Sequence, residues 1–147
     1  MIDDVYNSKL LEYAGNISRV GTLENPDASA KAHSKLCGST ISVDLNMNDD
    51  IVTDFAQVVK ACALGQSAAS IVASNIIGAS AQELRNARSQ MIGMLKEEGE
   101  PPQGRFAELK YLQPVKDYKA RHASTMLVFD AVVDAIDQIE RKRQSAA

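Results

Sequence analysis

Between Thr40 and Met47 the chain alternates without interruption. Ile41, Val43, Leu45 and Met47 take one side, and Thr40, Ser42, Asp44 and Asn46 the other. A period of two places the apolar set on one face of a β-strand and the polar set on the opposite face. The flanks supply partners for it. Ala28, Ala30 and Ala32 alternate with Ser29, Lys31 and His33, a weaker strand with a small-residue face. Asn48-Asp49-Asp50 reads as a turn, and Ile51 to Lys60 as a third strand. Three successive strands with short turns predict an antiparallel meander with one covered face.

The remaining segments read as the cover. Residues 3–15 carry Val5, Leu10, Leu11 and Ala14 on one helical face, with Asp3 or Asp4 as cap and Gly15 as stop. Gly21 and Asn25-Pro26-Asp27 mark residues 16–27 as loop. Residues 66–77 carry Ala68, Ile71, Val72, Ile76 and Ile77, and end at Gly78. Ser80-Ala81-Gln82-Glu83 has the capping-box pattern and opens a helix through Leu84, Ala87, Met91, Met94 and Leu95 that stops near Gly99. Glu100-Pro101-Pro102-Gln103-Gly104 breaks the chain, and Phe106 to Leu112 make a short helix or turn. A last helix runs from about Lys119 to Arg143. It has Ser124, Val128, Ala131, Val132, Ala135 and Ile139 on one face, and Asp130, Asp134, Asp137 and Arg141 on the solvent side. Arg141-Lys142-Arg143 reads as a solvated helix end, where cations suit the dipole. The fold class expected is α+β, a small three-stranded antiparallel sheet packed against several helices, in a single domain over residues 1–147.

A net charge of −3 argues against a general nucleic-acid footprint. No apolar run approaches the ~18 residues of a membrane helix. The acidic start Met1-Ile2-Asp3-Asp4 lacks the apolar core of a signal peptide, and there are only two cysteines, so a reducing cytoplasm is expected.

Those two cysteines stand at junctions. Cys37-Gly38-Ser39 precedes the alternating strand, and Cys62 lies between a strand-like and a helix-like run. A loop cysteine beside glycine can be exposed, and a helix N-terminus favours thiolate. Both residues are candidate metal ligands or sulfur carriers; the competing reading is that both are small buried apolar side chains.

Set in this order, the motifs resemble those of the U-type iron–sulfur cluster assembly scaffolds, namely the IscU and SufU proteins and the N-terminal domain of NifU. Cys37-Gly38-Ser39 stands where that family has Cys-Gly-Asp. Cys62-Ala63-Leu64-Gly65-Gln66-Ser67-Ala68-Ala69-Ser70 is similar to its helix-opening Cys-x-x-Ser-x-x-Ala/Ser-Ser, with Gly65 where serine is usual. Val5-Tyr6-x-x-x-Leu10-Leu11-Glu12 is like its opening helix. Val115-Lys116-Asp117-Tyr118-Lys119-Ala120-Arg121-His122-Ala123-Ser124 occupies the region of its third cysteine. The resemblance covers about Val5 to Ile139, and implies a non-enzymatic scaffold that holds zinc, iron or a nascent iron–sulfur cluster and receives sulfur from a cysteine desulfurase. Carried over residue by residue, it leaves Cys37 and Cys62 as metal ligands, because the family aspartate is Ser39 and the third cysteine is Ser124. A neutral hydroxyl is a weak ligand for metals that favour thiolate, so weak binding or none is expected.

The auxiliary candidates are Ser39, Ser124, Arg121 and His122. Imidazole suits zinc and iron. A helix that includes residue 122 turns His122 about 160° away from Ser124, and in an extended chain His33 lies roughly 13 Å from Cys37. Both histidines also fit surface or structural roles. Arg121 shares the Ser124 face and matches the family arginine; it is placed to hold an anion near the thiols, or to form an ordinary surface ion pair. No phosphate loop or Ser-His-Asp pattern is present, and Met91 and Met94 read as core. Two further functions compete with the scaffold: a metal-free module that binds and regulates a desulfurase, and a sulfur acceptor working through one reactive cysteine.

Overall fold

The computed structural model describes residues 7–36 and 38–146. A short helix α1 (Ser8–Ala14) precedes strands β1 (Ala28–His33), β2 (Thr40–Asn48) and β3 (Ile51–Lys60). Helices α2 (Ala63–Asn75) and α3 (Ala81–Lys96) follow. Two stretches of 3-10 turn, Gly104–Asp117 and Lys119–Arg121, then lead into the long helix α4 (His122–Ala146). The sheet order is β1-β2-β3 with both pairings antiparallel, so the α+β meander expected from the alternation is the fold observed.

The alternating face explains the core. Ile41, Val43, Leu45 and Met47 are all buried, and α4 packs against both β1 and β2. The small side chains of Ala28, Ala30 and Ala32 let that helix lie close to the sheet. The β2–β3 turn passes through Asp49 at a φ of 54°, a left-handed conformation that aspartate tolerates better than bulkier residues. A bulge between Asn46 and Met47 adjusts the register just before it.

The Ser80 capping box forms as the sequence predicts. Ser80 Oγ accepts from Glu83 N at 3.0 Å, and Glu83 Oε1 accepts from Ser80 N at 3.0 Å. Ser80→Ala is expected to cost about 1 kcal/mol. The urea midpoint should fall with an unchanged m-value; an unmoved midpoint would show that the cap carries no stability.

Several boundaries and faces differ from the expectation. Asn7 caps α1 through its side chain, which accepts from Leu10 N, while the predicted start at Asp3 or Asp4 and the positions of Val5 and Tyr6 lie outside the described residues. Leu10 is buried but Leu11 is 50% exposed, because a helix this short has only one narrow buried stripe. Helix α2 starts at Ala63, three residues before the apolar pattern becomes clear. The expected short helix at 106–112 is part of a longer 3-10 stretch interrupted at Phe106, and Pro114 offers no N–H to an α-helical ladder there.

The polar side of α4 faces solvent as expected, with Asp134 and Arg141 exposed, and two of its carboxylates also form ion pairs. Asp130 pairs with Arg88 at 2.9 Å and Asp137 with Arg85 at 2.6 Å, both across the α3–α4 boundary. The basic end is exposed, as expected of a solvated helix end, and also ties α4 to the sheet. Lys142 Nζ donates to Asp27 O at 2.6 Å, and Arg143 donates to Met47 O at 3.2 Å and to Asp49 O. Helix α4 is long enough to reach the far end of the sheet, where turn carbonyls lack ladder partners.

Candidate functional site

The sheet register decides which candidates meet. Thr40 pairs with Lys60, so Ser39, one residue before β2, and Cys62, two residues after β3, emerge at the same end of the sheet. The first turn of α4 brings Ser124 to this end. Cys62 Sγ lies 3.1 Å from Ser124 Oγ, and Ser124 Oγ donates to Ser39 Oγ at 3.3 Å. A serine hydroxyl has one proton. With that proton on Ser39, the thiol S–H of Cys62 is the donor toward Ser124. Once the thiol is deprotonated, Ser124 must turn its O–H to the sulfur to keep the contact. Ser124 is 1% and Ser39 4% exposed, whereas Cys62 is a free thiol at intermediate exposure. Two buried hydroxyls therefore sit in line beside one partly exposed cysteine.

Cys37, the other expected ligand, lies outside the described residues. The turn around its position is held by Ser34 N donating to Ser39 O and Gly38 N donating to Ser34 O, both at 2.9 Å. Gly38 takes a φ of 71°, which an L-residue would resist.

Cys62 is the N-cap residue of α2, in extended conformation, and its side chain does not cap the helix. The sulfur is thus left to face Ser124. Gly65, one turn into α2, makes this approach possible. A Cβ there would sit 2.8 Å from Ala61 Cβ, 3.1 Å from Ser124 O and 3.3 Å from Ser124 Oγ. Ser67 and Ser70 tie α2 to the N-terminal region, through Ser67 Oγ to Leu10 O at 2.7 Å and Ser70 Oγ to Asn16 O at 3.3 Å. These two positioning serines were not singled out from the sequence. The available signal was two buried hydroxyls in an otherwise apolar helix, which need acceptors.

No hydrogen bond joins the other auxiliary candidates, His122 and Arg121, to this cluster among the described residues. His122 begins α4 with its side chain turned to the other side, where Nε2 donates to Val115 O at 2.9 Å and Lys116 O at 3.1 Å. Arg121 closes the preceding 3-10 turn, its carbonyl accepting from Thr125 Oγ1. Its guanidinium forms no salt bridge among the described residues. His33 is exposed at the end of β1, opposite Thr40. Among the described residues, no group of three or more His, Cys, Asp or Glu is placed to hold a metal ion.

A family model for the NifU-like N terminal domain matches residues 5–143. The chain belongs to that family. The crystal structure of a nitrogen-fixing NifU-like protein (N-terminal) from Brucella abortus superposes with a TM-score of 0.95 at 63% identity, covering 96% of this chain and 98% of that one. The iron–sulfur cluster assembly scaffold protein IscU of Thermotoga maritima is 23% identical over 137 residues, covering 93% of this chain and 96% of that protein. The SufU structure from Fervidobacterium islandicum, at 19% identity and a TM-score of 0.83 over 90% of this chain and 97% of its own, shares the fold. In this NifU-like chain the sheet end, the α2 start and the α4 start meet, with hydroxyls at two of the meeting positions. Among the described residues, no helix is long and apolar enough to cross a membrane.

Proposed function

We propose that this NifU-like protein takes part in iron–sulfur cluster biogenesis as a scaffold, carrying sulfur, metal or a nascent cluster weakly through Cys62 and Cys37. The observation that carries this reading is the contact of Cys62 with Ser124, which in turn bonds Ser39, at the end of the sheet. Family membership supports the pathway. The donor set supports brief carriage over stable storage, since neutral hydroxyls bind iron and zinc weakly beside thiolates. Neither catalytic turnover nor a nucleic acid enters the proposal.

The partner in this reading is a cysteine desulfurase bearing a persulfide. The Cys62 thiolate attacks the terminal sulfur of that persulfide. A new S–S bond forms on Cys62 as the donor's S–S bond breaks, and the donor cysteine leaves as thiolate. Sulfane sulfur changes hands with no net oxidation. Ser124, which can turn its O–H toward the sulfur, is placed to stabilise the negative charge before attack and on the product persulfide.

Two measurements on anaerobically purified protein test this. Incubation with a desulfurase and free cysteine should add one sulfur to the intact mass, and Cys62→Ser should abolish the addition. Retention of the full gain in Cys62→Ser would remove Cys62 from the role. Bound zinc or iron should be substoichiometric after desalting; a full equivalent surviving that step would overturn the weak-binding part. Equal partner binding and cellular function in the Cys37→Ala/Cys62→Ala protein would favour the metal-free regulatory module instead.

A further inference from the structure

A cavity of about 740 Å3 opens between α3, the 3-10 segment and the first turns of α4, on the face that carries His122 and Met126 rather than Ser124. That volume falls within the range of small-molecule sites. Its accessible apolar lining is Ile92 and Ala123, with the buried Leu95 and Met126 as the floor beneath them. Its charged rim is unbalanced. Both rim carboxylates are already engaged, Asp130 with Arg88 at 2.9 Å and Glu98 with Lys116 at 3.3 Å. Lys96 and Lys119 also line the cavity, and neither has a carboxylate partner among the described residues. This local excess of positive charge stands on a chain whose net charge is −3.

His122 adds a directional group. Nε2 donates to the carbonyls of Val115 and Lys116 and therefore carries a hydrogen, while Nδ1 has no partner among the described residues and is not sealed in the core. The cavity thus offers an apolar surface, two uncompensated ammonium groups and one free ring nitrogen. We propose that it binds a small organic anion, whose apolar body lies on Ile92 and Ala123 above the buried Leu95 and Met126, and whose acid group meets Lys96 and Lys119. The site uses no part of the Cys62 cluster, so it stands or falls separately from the role proposed above.

The test uses the whole protein and two fluorescent probes, anilinonaphthalene sulfonate and its uncharged counterpart N-phenylnaphthylamine. The sulfonate should bind saturably, with amide shifts confined to the C-terminal half of α3 and residues 115–126. The uncharged probe should bind more weakly. Lys96→Glu/Lys119→Glu should raise the sulfonate Kd about tenfold or more, and both side chains are exposed, so the fold should survive. Ala123→Trp, at an exposed position on the cavity wall, should block both probes. Cys62→Ser should leave the binding unchanged. Equal affinity for the two probes, an unaltered Kd in the charge-reversed protein, or shifts centred elsewhere would overturn the assignment.

Discussion

Ser124→Cys is expected to turn the weak metal site proposed at Cys62 into a tight one. Ser124 Oγ already lies 3.1 Å from Cys62 Sγ. Two thiolates on a tetrahedral zinc, with Zn–S bonds of 2.3 Å, stand about 3.8 Å apart. Cys62 is partly exposed and needs only a small outward movement to reach that separation. Replacing a neutral hydroxyl by thiolate also gives the metal the soft, charged ligand it favours. Structural zinc sites with four such ligands reach about 10–16 kcal/mol in all, so one added thiolate is expected to tighten binding by about a hundredfold or more. Competition against a chromophoric chelator under anaerobic conditions measures this. The gain should vanish when Cys62→Ser is added. Adding Ser39→Asp should increase it further, because Ser39 lies next in the hydrogen-bonded line. Unchanged zinc affinity in Ser124→Cys would show that position 124 is not a ligand position in this fold.

Gly65→Val should produce the largest loss of stability among changes near the site, about 3 kcal/mol. The cause is the close passage of α2 beneath the start of α4. Even a single Cβ at residue 65 would stand 2.8 Å from Ala61 Cβ and 3.1 Å from the Ser124 carbonyl oxygen. Valine adds two methyl groups to that contact. The backbone of Ser124 belongs to a buried helix turn and cannot move away freely, since Thr125, Met126 and Leu127 behind it are also buried. Gly93 serves as the control. It lies within α3 with open space around a built Cβ, so Gly93→Ala should gain up to about 1 kcal/mol from helix propensity alone. Equilibrium urea unfolding of both proteins checks the pair. A Gly65→Val protein as stable as the natural chain would mean that the α2–α4 approach is loose. In that event the contact between Cys62 and Ser124 would lose its explanation.

The two predictions share one geometric cause. Gly65 stands where the U-type resemblance implies serine, and Ser124 where it implies cysteine. The Gly65 position lies 3.3 Å from Ser124 Oγ through its built Cβ, so the side chains allowed at the two positions are coupled. That coupling joins α2 to α4, two helices far apart in the chain, so the two departures form one structural change.

Much of the architecture could be read from local pattern. The alternation around Ile41 and Leu45 specifies a half-buried strand, since shifting it by one residue would expose the entire apolar set. The Ser80 capping box marks its helix start because both hydrogen bonds join residues only three apart. The identities of Cys62, Ser39 and Ser124 as the residues to watch came from the motif resemblance, and no periodicity would have selected two serines. The extent of the 3-10 stretch through Val115 and the polar edge of α4 were not legible. Asp130 and Asp137 look like solvent-face carboxylates on a wheel, yet they reach Arg88 and Arg85 on a neighbouring helix.

The sequence by itself determined the strand faces, the capped start of α3 and the presence of one thiol at the junction of β3 and α2. These depend on interactions within a few residues, where a repeat of 2 or 3.6 fixes direction. Only the tertiary structure decided that Cys62 would meet a hydroxyl 62 positions away and that this hydroxyl would meet another 85 positions away. It also decided that His122 would turn to the carbonyls of Val115 and Lys116, leaving a charged cavity beside it. Such contacts depend on strand register and helix approach, which many distant packing contacts set together and no local repeat encodes.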